Sequence, residues 1–154
     1  MTAPPLFDQS CLEIISTADC LRLLGSVPLG RLVHTYGGLP AVRLVNFVLD
    51  DDTIVFTTGQ GDKLRAAERG DVVAFQADDV DTERHTGWTV TAVGHLSVVT
   101  PDEAAALRRA LPLHSWLPMD DPHLVRLGIE TVTGRRLVPW GRRPRSSATS
   151  RKAR

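Results

Sequence analysis

The stretch Thr53-Ile-Val-Phe-Thr-Thr-Gly-Gln-Gly-Asp-Lys-Leu64 decides the reading of this chain. Ile54, Val55 and Phe56 are β-branched or aromatic, as a buried strand requires, and Thr57-Thr58 end the run. Gly59-Gln60-Gly61 then turns the backbone into a helix that begins at Asp62-Lys63-Leu64. Glycines at a helix start leave backbone N–H groups free, and a lysine there adds a mobile cation, a combination suited to phosphate. The chain has sixteen arginines and only two lysines, Lys63 and Lys152, so Lys63 is the one lysine of the folded part. The same residues also serve a plain turn followed by a solvated helix. The stretch is not a P-loop, because the spacing and the Ser/Thr after the lysine are both missing.

Working outward, Pro40 to Leu49 precedes this strand and Asp50-Asp51-Asp52 joins the two as a hairpin. Gly30 to Thr35 lies one hairpin earlier, across Gly37-Gly38, a natural pair for a tight turn. Ser16-Thr17-Ala18-Asp19 caps a short helix that stops near Gly25. Beyond the central helix, which Gly70 closes, Val72 to Ala77 reads as a strand, Asp78 to Arg84 as an acidic connector, and Gly87 to Val99 as a long β segment. Gly94 marks a bulge or bend in that segment. Thr100-Pro101-Asp102-Glu103 starts a helix running to about Ala110. Leu111 to Pro122, with three prolines, reads as a loop, and Leu124 to Val138 supplies the last one or two strands. The class is therefore mainly β with peripheral helices, a six-stranded antiparallel barrel.

The 154 residues suit one domain. The expected division is a disordered N-terminus over 1–11, the barrel over 12–140 and a basic, disordered tail over 141–154. All 18 acidic residues precede Gly141, whereas six of the 18 basic ones follow it. Such a tail can touch nucleic acid, but an acidic body poor in aromatic residues argues against specific recognition, and a solubilising appendage is expected. No apolar run is long enough to cross a bilayer and no signal peptide is visible, so the expected place is the cytoplasm. Cys11 and Cys20 form no disulfide framework or zinc motif, and His34, His85, His95, His114 and His123 show no metal-ligand spacing. No acid–base constellation is present.

Five segments in register resemble the pyridoxamine 5′-phosphate oxidase-like flavoproteins, the split β-barrel superfamily. They are Val27 to Leu32, Pro40 to Phe47, Ile54 to Thr58 leading to Gly61 to Leu64, His85 to Gly94, and Val132 to Leu137. The resemblance implies a homodimer with FMN, or the deazaflavin F420, at the subunit interface, and hydride transfer to a small-molecule acceptor. Val45, Asn46, Phe47, Phe56, Thr57 and Thr58 would line the ring and ribityl chain, Lys63 with Leu64 would meet the phosphate, and Trp88 and Thr89 would come from the second subunit. Trp88 suits core packing in the dimer seam equally well. The apolar Leu96, Val98 and Val99 are expected to need cover from that subunit. Two positions depart from the family: Thr57 stands where a basic residue is common, and Asp62 where a small hydroxyl is. An aspartate facing a phosphate would cost about 1 kcal/mol, with Arg43 or Arg65 available to compensate. A cofactor-free or haem-binding module on the same barrel is the alternative function.

Overall fold

A computed structural model describes residues 4–139 and Gly141. Seven strands and three helices follow in the order β1 (Glu13–Ile15), α1 (Thr17–Leu24), β2 (Leu29–Tyr36), β3 (Leu39–Asp50), β4 (Thr53–Thr58), α2 (Asp62–Arg69), β5 (Val72–Asp81), β6 (Thr86–Val98), α3 (Pro101–Ala110) and β7 (His123–Leu137). The strands are antiparallel in the order β1-β7-β4-β3-β2-β5-β6, and β6 also pairs with β7, so β2 to β7 close a six-stranded ring. The split β-barrel is thus present, with β1 as a seventh strand added to it.

Local chemistry explains the corners. Gly37 and Gly38 both have positive φ, which a two-residue hairpin turn between twisted strands requires. Asp51 turns the β3–β4 hairpin with φ 54°, a conformation that aspartate tolerates. Ser16 accepts a hydrogen bond from the Asp19 N–H to start α1, and Thr100 does the same for Glu103 in α3. The register of β6 against β7 shifts between Val93 and Gly94. A Cβ at Gly94 would lie inside the Gly128 carbonyl, so the bulge expected there needs a residue without a side chain.

Alternation places Leu32 and His34 of β2, Val45 and Phe47 of β3, Ile54 and Phe56 of β4, and Val73, Phe75 and Ala77 of β5 inside the ring. Phe47 and Phe75 meet edge to face at 4.7 Å. Leu64, Ala66 and Ala67 of α2 join this core. Outside the ring, α3 sets Ala104 against Val55, Val99 and Leu124, a smaller apolar cluster.

Two expectations change. The acidic connector is shorter than expected, because β5 continues through Asp78 to Asp81 in pairing with β6. The segment before β1 makes contacts of its own: Phe7 bridges Glu13, and the Ile14 N–H donates to the Leu6 carbonyl at 2.7 Å. Asp8 accepts hydrogen bonds from the N–H groups of Ser10 and Leu12, and Arg135 donates to it at 2.7 Å. Leu96 and Val99 are buried within the chain and Val98 packs on the core, so they need no second subunit. Exposed apolar side chains lie elsewhere, among them Val42 and Leu44 of β3 and Val72 of β5, each more than half exposed. The tail from 142 onward lies outside the described residues. Among those described, no helix is long and apolar enough to cross a membrane.

Candidate functional site

A cavity of about 420 Å³ opens against the outer side of β3, a size within the range of small-molecule sites. One wall is Leu44 to Val48 with Leu29, a second is Thr57 and Lys63, and the third is the segment between α3 and β7, from Leu113 to Met119. The lining is mostly apolar. Its polar groups are Asn46, Thr57, Lys63, His114 and Ser115. The Asn46 side chain donates to the Pro28 carbonyl at 2.8 Å, which ties β3 to the start of β2.

The glycine turn delivers Lys63 to this cavity. Gly61 is the N-cap of α2 with φ 153°, outside the range that side chains favour, and no side chain caps the helix. The first N–H groups of α2 therefore lack both an intrahelical partner and a side-chain acceptor. Lys63 is the one lysine or arginine among the described lining residues.

Asp62 does not confront an anion there, as its place in the sequence suggests. Its Oδ2 accepts from Arg43 at 2.9 to 3.0 Å and lies 3.1 Å from His34 Nε2, which must carry the proton to donate to a carboxylate. Burial pushes the Asp62 carboxyl up, but Arg43 and then His34 outweigh it and hold the group below the usual aspartate range. Its charge is compensated by Arg43, one of the two arginines considered for that task. His34 is buried, and its Nδ1 has no hydrogen-bond partner among the described residues. The carboxylate therefore fastens the start of α2 to the β2–β3 hairpin.

Of the residues expected at the site, Val45, Asn46, Phe47, Thr57 and Lys63 line the cavity together. Phe56, Thr58 and Leu64 are buried beneath it and support the wall from the core. Trp88 joins the chain's own core cluster, away from the cavity lining. Thr89 lies on the outer face, where its hydroxyl accepts from Gln76 at 2.9 Å. The sequence reading missed Leu29 and the whole third wall. The pair Trp116-Leu117, two large apolar residues inside a proline-containing loop, was the signal available.

The family model described as pyridoxamine 5′-phosphate oxidase matches residues 16–136. The chain belongs to that family. Every residue lining the cavity, from Leu29 to Met119, falls within the matched span. An uncharacterised protein of Mycobacterium tuberculosis is 38% identical over 143 residues, spanning 88% of this chain and 93% of that one. A FAD-binding protein from Mycobacterium smegmatis is similar in structure, with TM-score 0.68 and 35% identity over 81% of this chain and 99% of its own. A conserved Corynebacterium diphtheriae protein of unknown function aligns with TM-score 0.67 and 30% identity, covering 82% of this chain and 98% of that one.

Proposed function

We propose that this member of the pyridoxamine 5′-phosphate oxidase family is a flavin-dependent oxidoreductase of the cytoplasm that transfers hydride to a small-molecule acceptor. The observation that carries the reading is the cavity itself: a mostly apolar slot of about 420 Å³, with Lys63 and the uncapped start of α2 beside it. The residues fit a flavin nucleotide. Asn46, Phe47 and Thr57 would hold the ring and ribityl chain, and Lys63 would meet the phosphate. A bound flavin supplies reversible hydride chemistry of its own, so the protein's task is to bind and orient. That division of labour is consistent with a lining that offers few titratable groups. FMN is the first choice, FAD is supported by the Mycobacterium smegmatis relative, and F420 is the remaining candidate.

A homodimer belongs to the same reading. Leu44, 66% exposed, is part of both the apolar outer face and the cavity lining. A second subunit docked on Val42 and Leu44 would therefore also close the cavity, and isologous pairing is the commonest way to cover such a face. Thr89 stands on the outer side of the ring and is available to a partner. Trp88 is committed to the core.

The test is a titration of the purified protein with FMN, FAD and F420, followed by cofactor absorbance and fluorescence. Saturable binding of at least one, weakened by Lys63→Ala, is the expected result. No binding of any of the three at high concentration overturns the proposal. A haem-binding module is the second reading, favoured by His114 on the cavity wall. It requires a Soret band with haemin that disappears in His114→Ala.

A further inference from the structure

The third wall of the cavity is built unlike the other two. It spans the twelve residues between α3 and β7 and is fastened at both ends. At the first, the Leu111 N–H donates to Leu107 at 2.8 Å, and Leu111 and Leu113 pack on the Val55–Leu124 cluster. At the second, Arg108 donates to the Pro122 carbonyl at 3.2 Å and Gln60 donates to Asp121 at 3.2 Å. Between these anchors Ser115 Oγ donates to the Leu117 carbonyl at 2.6 Å, closing a small turn with Trp116 at its apex. Trp116 is 62% exposed and Leu117 70% exposed, although both line the cavity. An indole left so open beside an apolar slot has a large burial still to gain.

We propose that Trp116 is the stacking residue of this cavity, holding a flat conjugated ring between its indole and the β3 wall. Two sources share that chemistry: the ring of the cofactor, or an aromatic acceptor bound beside it. The first rests on the flavin reading; the second does not need it. The Ser115 bond to the Leu117 carbonyl closes the turn that carries Trp116, and the anchors at Leu113 and Asp121 keep the strap within reach of Leu44 and Asn46 on the opposite wall. The strap then sets specificity by admitting planar ligands and leaving aliphatic ones without a partner for the indole.

Wild type, Trp116→Ala and Trp116→Phe are compared by equilibrium dissociation constants for FMN and for menadione, a planar quinone without phosphate. Each variant's melting temperature is checked, and little change is expected for so exposed a side chain. If the ring is the cofactor's, Trp116→Ala weakens FMN about tenfold and Trp116→Phe about threefold or less. If it is the acceptor's, FMN affinity is unchanged and menadione binding to the FMN-loaded protein falls by that factor. Should no flavin bind, the same fall in menadione affinity for the free protein supports the stacking role while the flavin reading fails. The proposal is overturned if neither ligand responds to Trp116→Ala, if neither binds wild type, or if Trp116→Phe is as damaging as Trp116→Ala. It is also overturned if Trp116→Ala changes only the oligomeric mass in light scattering.

Discussion

Replacing Asp62 by serine, a small hydroxyl residue, should destabilise this protein. Asp62 is mostly buried and holds two partners. The hydrogen bond from His34, itself without side-chain exposure, goes to a charged acceptor and is worth about 1.5–3 kcal/mol. The Arg43 guanidinium is 41% exposed, so solvent screening limits its share to about 0–1 kcal/mol. Asp62→Ser also leaves the His34 ring buried with both nitrogens unpaired, so a loss of about 2–3 kcal/mol is expected. For a chain of this size that lowers Tm by about 5–10 °C. Urea denaturation of wild type, Asp62→Ser and Arg43→Met measures the partition, with Arg43→Met costing about 1 kcal/mol or less. The folded-state carboxyl is depressed, so its stabilisation is complete above the ordinary aspartate range and is lost as pH falls through the lower folded value. The gap between wild type and Asp62→Ser should therefore be full at neutral pH and close in acid. A loss below about 0.5 kcal/mol, or an Arg43→Met cost equal to that of Asp62→Ser, would refute the view that His34 is the dominant partner.

Gly94→Ala should cost about 3 kcal/mol in denaturant titrations, because its Cβ would collide with the Gly128 carbonyl, whereas Gly128→Ala meets open space and should be nearly neutral. Val42→Asp on the exposed face should convert the proposed dimer to a species near 16.8 kDa in light scattering; an unchanged dimer would move the interface elsewhere, and a wild type already near 16.8 kDa would refute the dimer. With a thiol reagent, Cys11 should label in the native state and Cys20 only on unfolding. Cys20 is fully buried, and burial followed by the Asp19 charge pushes its thiol up.

The elements whose cause is local were legible in the sequence. Ser16 and Thr100 cap helices by side-chain geometry within three residues, Gly37-Gly38 makes its turn alone, and Gly94 marks the bulge by lacking a Cβ. Strand β1 was not legible: three residues give no periodicity, and the pairing partners of Glu13–Ile15 are Gly134 to Arg136, at the far end of the chain. The extension of β5 was hidden because Asp78, Asp79 and Asp81 read as solvent-facing, and antiparallel pairing with β6 tolerates such residues on an outer face. At the cavity, Lys63 followed from turn chemistry, and the residues of the β3–β4 wall came from the resemblance to the family. The orientation of Asp62 did not, since its partners lie 19 and 28 residues away on other strands. The strap carrying Trp116 was read only as a loop, because the path of a segment without periodic apolar residues is set by its anchors.

The central claim, that Lys63 and the start of α2 receive the phosphate of a flavin whose ring lies against β3, is tested most directly by comparing FMN with riboflavin. The two ligands share the ring and ribityl chain and differ in the phosphate. Dissociation constants are measured for both with wild type and Lys63→Ala. The account predicts that wild type binds FMN at least about tenfold more tightly than riboflavin, and that Lys63→Ala removes most of that preference while leaving riboflavin affinity nearly unchanged. Equal affinity of wild type for the two ligands, or a preference for FMN that survives Lys63→Ala intact, would contradict it.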